Sequence, residues 1–418
     1  MRRFLVLFLL IPIVFTTSCV GNEVGFPSSS NPPTNHPQTS TAPSTETAAG
    51  AGEAINITNK KDKDQITKNI TPIIIVPGIM ASELMYNDSK IWPPFPEMNV
   101  DFSSLTQLQL LTYTNKLFNS LNLMTYSSDA ISQYAVSPVQ LSPVGTIIQD
   151  NSYNIGANNT YFKLAQSLAM YYGSNNVFFF GYDWRASVMD SGDKLAEYID
   201  FVCQVTGQNK VHLVAHSMGG LVTTAYLLQT KEIKVDKVVT AGTPFGGADK
   251  ATALLLGGDF SGLLADYIGN SSEEQAGKIE EITQFLSSVS EILFGLTKSY
   301  PSVYTLVPAQ SEVLLLKHNT TAAKFGFGDR KTLNNNYEQL WSKVDHYNVV
   351  GTGHEAVSFD ISDSEMKQGK ADGDGTVTKD SATYGGLFSD ITEVFNATHT
   401  GLVSDETCVC HIVELLKK

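Results

Sequence analysis

Ser217 lies within Lys210-Val211-His212-Leu213-Val214-Ala215-His216-Ser217-Met218-Gly219-Gly220-Leu221-Val222. The run reads as an apolar strand, a tight turn with serine at its apex, and a helix. That is the context of a nucleophile elbow, in which the hydroxyl stands above the sheet edge. Ala215 and Gly219, two before and two after the serine, let strand and helix approach closely. Glycine is usual at the first of these positions, and alanine is its smallest substitute. The following helix aims its N-terminal N–H groups toward the place where negative charge would develop. The competing reading is an ordinary strand–turn–helix with an incidental serine. The partners of the serine decide between the two.

A serine needs a base, and the base needs an orienting group. In a fold with such an elbow they follow in the chain order serine, acid, histidine. The chain has eight histidines. His36 lies in a polar N-terminal stretch, His212 within a strand and His216 beside the serine, pointing elsewhere on the turn. His318 falls in an insertion, His346 at a strand start and His411 in the last helix. His354 follows a strand in Gly351-Thr352-Gly353-His354 and competes for the role of base. His399 fits best, because it follows the last strand and precedes the last helix, level with the elbow. The acid belongs between Ser217 and His399. Ala371-Asp372-Gly373-Asp374-Gly375-Thr376-Val377 is a strong loop signal with two competing aspartates, and spacing does not choose between them. A calcium-loop reading fails, since Val377 stands where the sharp-turn glycine belongs and no glutamate closes the loop. Two backbone donors must hold the oxyanion. One is the amide of Met218; the other comes from the turn Gly78-Ile79-Met80. Losing one such donor costs about 3 kcal/mol of transition-state stabilisation.

These residues need a scaffold. Continuous apolar runs at Pro72–Val76, Asn176–Tyr182, Val211–Ala215, Lys237–Ala241, His346–Gly351 and Ile391–Phe395 predict strands buried on both faces. Helical patterns fall between and after them, at Tyr161–Leu168, Asp193–Val202, Leu221–Gln229 and Ser404–Lys417. The alternation predicts an α/β fold with a mostly parallel sheet covered on both faces. Two long stretches break the rhythm, about 82–159 and about 244–344, the second with a helical patch at Ile279–Ile292. Long insertions in such sheets usually sit over the strand C-terminal ends, where ligands bind. They read as a lid and a cap, with passive surface decoration as the alternative.

The chain has 418 residues and 42% hydrophobic content, which favours one large decorated domain over three small ones. A net charge of −14 without a sustained basic cluster argues against a nucleic-acid partner. Residues 1–18 read as a signal peptide. Arg2 and Arg3 precede an apolar stretch, Phe4 to Phe15, that is short for a bilayer span. Thr16-Thr17-Ser18 and then Cys19 resemble a bacterial lipoprotein signal, in which Cys19 would carry the lipid anchor. The usual aliphatic residue three before the cysteine is here Thr16, and a plain secretory peptide is the alternative. Residues 19–69 are rich in Pro, Ser, Thr and Asn without hydrophobic periodicity, as expected of a disordered tether. The folded domain is placed at 70–418. Cys203, Cys408 and Cys410 read as structural, and Cys408-Val409-Cys410 is a weak metal signature.

The chain resembles the lecithin:cholesterol acyltransferase family, which includes lysosomal phospholipase/transacylases. The shared marks are Ile75-Val76-Pro77-Gly78-Ile79-Met80, Tyr182-Asp183-Trp184-Arg185, Ala215-His216-Ser217-Met218-Gly219-Gly220, Thr243-Pro244-Phe245-Gly246-Gly247, Asp372-Gly373-Asp374-Gly375-Thr376-Val377 and His399. They follow family order across about residues 71 to 415. The resemblance implies an α/β-hydrolase fold with Ser217 as nucleophile, Asp374 as acid, His399 as base, and the Met80 and Met218 amides as oxyanion hole. It implies a phospholipase- or O-acyltransferase-like serine hydrolase acting on lipid esters at a membrane surface, without cofactor or metal. A triacylglycerol lipase or short-chain carboxylesterase is the alternative, and a non-catalytic surface lipoprotein a further one. Ile91-Trp92-Pro93-Pro94 resembles the family's membrane-binding part and mobile lid. The animal members staple that lid with a disulfide, whereas no cysteine lies between Cys19 and Cys203 here. Trp92, Asp183, Trp184 and Arg185 are candidates for substrate contact. Asp183 and Arg185 could equally form a buried pair, and the tryptophans could be core.

Overall fold

The computed structural model describes residues 70–93, 119–126, 132–145, 154–256, 296–312, 327–362 and 365–418, the strand Ile55–Ile57 and a few isolated positions between these spans. The described strands are β1 (Ile55–Ile57), β2 (Ile73–Val76), β3 (Leu84–Tyr86), β4 (Ser89–Trp92), β5 (Ser137–Leu141), β6 (Val177–Phe179), β7 (Val211–His216), β8 (Val235–Ala241), β9 (Asp345–Thr352), β10 (His354–Ser362), β11 (Glu365–Gly373) and β12 (Thr392–Asn396). The helices used below are α1 (Phe162–Tyr172), α2 (Val188–Thr206), α3 (Met218–Gln229), α4 (Asp249–Leu255), α5 (Pro301–Thr305), α6 (Gly328–Asn334), α7 (Tyr337–Trp341), α8 (Lys379–Thr383), α9 (Gly401–Ser404) and α10 (Glu406–Lys417).

One sheet runs β12-β9-β8-β7-β2-β6-β5-β3-β4, with β1 beside β5. From β12 to β6 every pairing is parallel. These six strands are the six apolar runs of the sequence. Side chains alternate across the sheet, and β2 and β6, covered on both faces, carry no polar residue, whereas the edge strand β12 is half exposed. Ile74 and Val76 of β2 face a core shared with Leu195 and Ile199 of α2 and Leu221 and Ala225 of α3. Ile73 and Ile75 face the opposite core, shared with Leu164 and Leu168 of α1 and Val409 and Ile412 of α10. The fold is the α/β hydrolase arrangement, with the elbow at the C-terminal end of β7 in the middle of the sheet.

The structure departs from the sequence expectation in two places, the first insertion and the segment after the fifth apolar strand. The described part of 82–159 is sheet as well as loop: β5 pairs antiparallel with β6, and β3 with β5 and β4. The β3–β4 hairpin turns on Asn87 and Asp88, both with positive φ (46° and 60°), the two-residue turn that matches strand twist. In the second insertion α4, α5, α6 and α7 are described, and the expected helix at 279–292 lies outside the described residues. Finally, an antiparallel hairpin, β10–β11, separates the fifth apolar strand from the aspartate loop. Its strands carry Glu355, Asp360, Lys367 and Lys370, so their apolar alternation is too weak to read as strand. Among the described residues, no helix is long and apolar enough to cross a membrane.

Candidate active site

The turn between β7 and α3 holds Ser217 at φ 56° and ψ −129°. A non-glycine residue occupies that region only when its surroundings enforce it. The Ser217 N–H donates to Ala241 O on β8 at 2.9 Å, and its carbonyl accepts from the Gly220 N–H at 3.0 Å. Gly219 is required by contact: a Cβ there would run into the Val76 carbonyl oxygen and lie 2.7 Å from Pro77 O. The close approach of strand and helix expected from the small residues is thus an approach to the end of β2, where the turn Gly78-Ile79-Met80 begins.

Asp374 is 2% exposed, in the loop after β11. Its Oδ1 accepts from the N–H groups of Thr376 (2.9 Å) and Val377 (2.7 Å), and its Oδ2 accepts from His399 Nδ1 at 2.7 Å. Burial alone would raise this carboxyl. The His399 ring and its hydrogen bond, together with the two loop N–H groups, outweigh burial and hold it below the ordinary aspartate range. Asp372 is exposed, and its Oδ1 accepts from the Gly353 N–H at 2.8 Å. Of the two aspartates that spacing left open, Asp374 therefore meets the histidine. His399 follows β12, and its own N–H donates to Asp374 O at 2.8 Å. His354, the competing histidine, begins β10 and lines the same cavity.

That cavity measures about 620 Å³ and is lined by Ser217, His399, Asp374 and Met80. Ile79, Leu254, Val303 and Leu306 form an apolar wall. His354, Glu355, Lys370 and Thr376 form a polar one. The turn Gly78-Ile79-Met80 is braced from three sides. Tyr182 Oη donates to Pro77 O (2.9 Å), the Gly78 N–H donates to Tyr161 Oη (3.0 Å), and Trp92 Nε1 donates to Met80 O (2.6 Å). Met80 itself has φ 64°. A Cβ on Gly78 would lie 2.8 Å from Ser217 Cβ. Gly78→Ala is expected to push the turn off the serine and lower kcat by up to about 100-fold. Turnover of an aryl ester, measured beside a thermal melt, checks this; unchanged kcat sinks the assignment of this turn.

Trp92, Asp183, Trp184 and Arg185 do not line the serine cavity. Arg185 is fully buried and grips Asp183 with two parallel bonds, Nε–Oδ1 at 2.8 Å and Nη2–Oδ2 at 2.7 Å. Tyr126 donates to the same carboxylate at 3.2 Å, and its ring lies 5.0 Å from the guanidinium. Of the two roles left open for Asp183 and Arg185, the geometry is that of a structural ion pair, with Arg185 fully buried and Asp183 partly exposed. Trp92 and Trp184 are buried and meet edge-to-face at 5.1 Å. The Trp92 N–H braces Met80, and both tryptophans line a small apolar pocket that shares Ile79, Met80, Leu254 and Val303 with the serine cavity.

Two further residues join the site, neither of them given a role in it from the sequence. His216, read as pointing elsewhere, lines the cavity; its Nδ1 meets Tyr161 Oη at 2.8 Å and its Nε2 meets the His399 carbonyl at 2.9 Å. Burial first, and the nearby His399 second, lower the His216 imidazole to about 3. Tyr161 is fully buried at the foot of α1. No local pattern marks a tyrosine at a helix start as part of a site 55 residues away. Among the described residues no group of three His, Cys, Asp or Glu side chains could hold a metal ion, and Cys203, Cys408 and Cys410 are free thiols.

The chain matches the lecithin:cholesterol acyltransferase family over residues 148–384, more than half its length, a span that contains Ser217 and Asp374. It is similar to lecithin-cholesterol acyltransferase-like 4 of Arabidopsis thaliana, 23% identical over 220 residues. That match takes in 49% of this chain and spans only 40% of the relative's length. Among solved structures it is similar to the mature form of Bacillus licheniformis lipase BlEst2 (14% identity, TM-score 0.39, 83% of this chain and 92% of that one). It is also similar to the Tle4-Tli4 complex (13% identity, TM-score 0.45, 83% and 98%). The chain belongs to the lecithin:cholesterol acyltransferase family.

Proposed function

We propose that the protein is a serine hydrolase of lipid esters that works through an acyl-serine at Ser217. The observation that carries this reading is convergence. A strained serine, a histidine bound to a buried carboxylate and a braced turn at Gly78-Ile79-Met80 all line one cavity whose lining includes both apolar and polar side chains. His399 Nδ1 is held by Asp374, which leaves Nε2 as the nitrogen able to take the Ser217 proton. The serine oxygen attacks the ester carbonyl, and the amides of Met80 and Met218 hold the oxyanion. The imidazolium, stabilised by Asp374, protonates the leaving alcohol. Water or a second alcohol, deprotonated by His399, then releases the acyl group. The wall of Ile79, Leu254, Val303 and Leu306 suits an acyl chain. The wall of His354, Glu355 and Lys370 suits the polar leaving group or acceptor.

The membrane side of this reading rests on composition. Residues 1–18 act as the export signal, Cys19 takes the lipid anchor, and 19–69 tether a domain spanning 70–418, with 82–159 and 244–344 as lid and cap. Signal, anchor and most of the tether lie outside the described residues. The test uses mixed phospholipid vesicles with and without an added long-chain alcohol. Release of fatty acid, and acyl transfer to the alcohol, both abolished once a fluorophosphonate has labelled Ser217, is the expected result. Acyl release that persists after full labelling overturns the serine mechanism. Turnover of acetyl or butyryl aryl esters with none on phospholipid moves the substrate to short-chain esters.

A further inference from the structure

A chain of hydrogen bonds passes beneath Ser217 and joins the two loops that hold the rest of the machinery. Its direction is fixed by counting donors and acceptors. The Gly78 N–H donates to Tyr161 Oη at 3.0 Å, so the single phenolic proton is free for His216 Nδ1, 2.8 Å away. Nδ1 must then accept. The one proton of a neutral imidazole therefore sits on Nε2 and points at the carbonyl oxygen of His399, 2.9 Å away. That carbonyl has no proton to give, so the opposite tautomer would set two acceptors against each other. The run is Gly78 N–H to Tyr161 O–H to His216 Nδ1, then His216 Nε2–H to His399 O.

We infer that Tyr161 and His216 form a neutral strut that spaces the oxyanion turn from the base loop, and that both are positioning residues for the reaction at Ser217. The inference rests on the functional reading above. One end of the strut holds the turn that supplies the Met80 amide. The other end is a third anchor on His399, whose N–H and Nδ1 are both tied to Asp374. The middle passes through the residue next to the nucleophile, so all three reacting parts are indexed to one another. Both members are buried, Tyr161 completely and His216 at 4% exposure, where an unpaired polar atom is costly. The strut must also carry no charge. The His216 and His399 rings lie 4.7 Å apart between centroids, and a charged His216 would oppose the imidazolium that His399 forms. The titratable groups around it are His399, Asp374 and Tyr161. Burial holds the His216 imidazole far below its ordinary value, so it stays neutral near pH 7.

Tyr161→Phe removes the acceptor for Gly78 and the donor for His216 together. Its expected effect is a loss in kcat of about 10- to 100-fold with little change in KM, because orientation and not binding is lost. His216→Leu is expected to do the same. His216→Gln keeps an acceptor and a donor on one flat group and should recover most of the loss. The double variant Tyr161→Phe/His216→Leu should be no slower than the worse single variant, since one strut is cut twice. Independent packing roles would make the two losses multiply, and that result overturns the inference. Activity of Tyr161→Phe within threefold of the unsubstituted chain overturns it also, as does a loss explained by a lower melting temperature alone. If Tyr161→Phe fails to fold, the comparison of His216→Gln with His216→Leu decides: equal activities overturn the strut. Failure of the unsubstituted chain to be labelled by fluorophosphonate at Ser217 would instead reject the functional reading itself.

Discussion

Asp374→Asn is expected to lower kcat on an ester substrate by about 10,000-fold, while Asp372→Asn changes it by less than about threefold. The reason lies in how the two oxygens of Asp374 are used. Oδ1 accepts from two backbone N–H groups, Thr376 and Val377, and Oδ2 accepts from His399 Nδ1. An asparagine has one oxygen and one NH₂ to share between these positions. Turning the NH₂ toward the loop sets it against two donors. The oxygen therefore stays with Thr376 and Val377, and the NH₂ faces His399. Nδ1 must then accept, so the ring proton moves to Nε2. A protonated Nε2 cannot take the serine proton. The loop and the fold keep their contacts, so the melting temperature should move little. Among the described residues the Asp372 side chain bonds the Gly353 N–H at the exposed base of the β10–β11 hairpin, where asparagine accepts equally well. Steady-state turnover of an aryl ester measures both variants. An Asp372→Asn effect as large as that of Asp374→Asn sinks the assignment of the acid.

The same residues explain what the sequence could disclose. Ser217 was legible because an elbow is a local event: an apolar strand, a glycine-rich turn and a helix within thirteen consecutive residues. The innermost strands were legible because burial on both faces favours apolar runs such as Ile73-Ile74-Ile75-Val76, whereas the edge strand β12 is half exposed and keeps Glu393 and Asn396. His399 could be found because a fixed chain order puts the base after the last strand. Asp374 could be narrowed only to a pair, since what separates it from Asp372 is which carboxylate turns inward, and Gly373 between them hides that from spacing.

Less was legible where strands are short or half exposed. β3, β4 and β5 are three to five residues long, and β10 and β11 carry charges at their exposed positions. For β3 and β4 a signal was present in Asn87-Asp88, a turn pair that tolerates positive φ. Trp92 and Arg185 illustrate a different limit. Their types suit ligand contact as well as bracing, and only the partners tell which: Met80 O for one and the Asp183 carboxylate for the other. Tyr161 and His216 were beyond reach because their link is made by tertiary folding between elements 55 residues apart.

Acid should destabilise this fold well before its carboxylates titrate, and three buried histidines set the expected slope. Burial lowers His212 to about 4, His216 to about 3 and His346 to about 3, each from an ordinary value of 6.5. The unfolded chain binds a proton at each of them near pH 6.5, whereas the folded chain does not. Their stabilising contribution is therefore complete above pH 6.5 and is lost progressively as pH falls toward 4 and 3. Each can contribute a slope of up to about 1.4 kcal/mol per pH unit, and the three together about 4. Against a typical total of about 5–15 kcal/mol, two pH units would remove much of the stability. Asp374, held below the ordinary range, acts in the same sense at lower pH. Asp190 and Asp249, raised by burial, act oppositely toward the acid end, so the histidine slope is read from pH 6.5 downward to about 5.5. Urea unfolding at pH 7.5, 6.5 and 5.5 measures it. His346 isolates one share, because it lies away from the serine cavity, stacked on Trp341 at 4.0 Å, with Nε2 bonded to Thr240 Oγ1 at 2.8 Å. Its Nδ1 is buried without a hydrogen-bond partner among the described residues, so protonation there gains nothing. His346→Gln can keep an N–H toward Thr240 and removes the titrating group. It should flatten the pH dependence by about a third, whatever its effect at pH 7.5. An unchanged slope in His346→Gln would show that the folded protein accommodates this proton and would remove the physical basis for the prediction at all three sites.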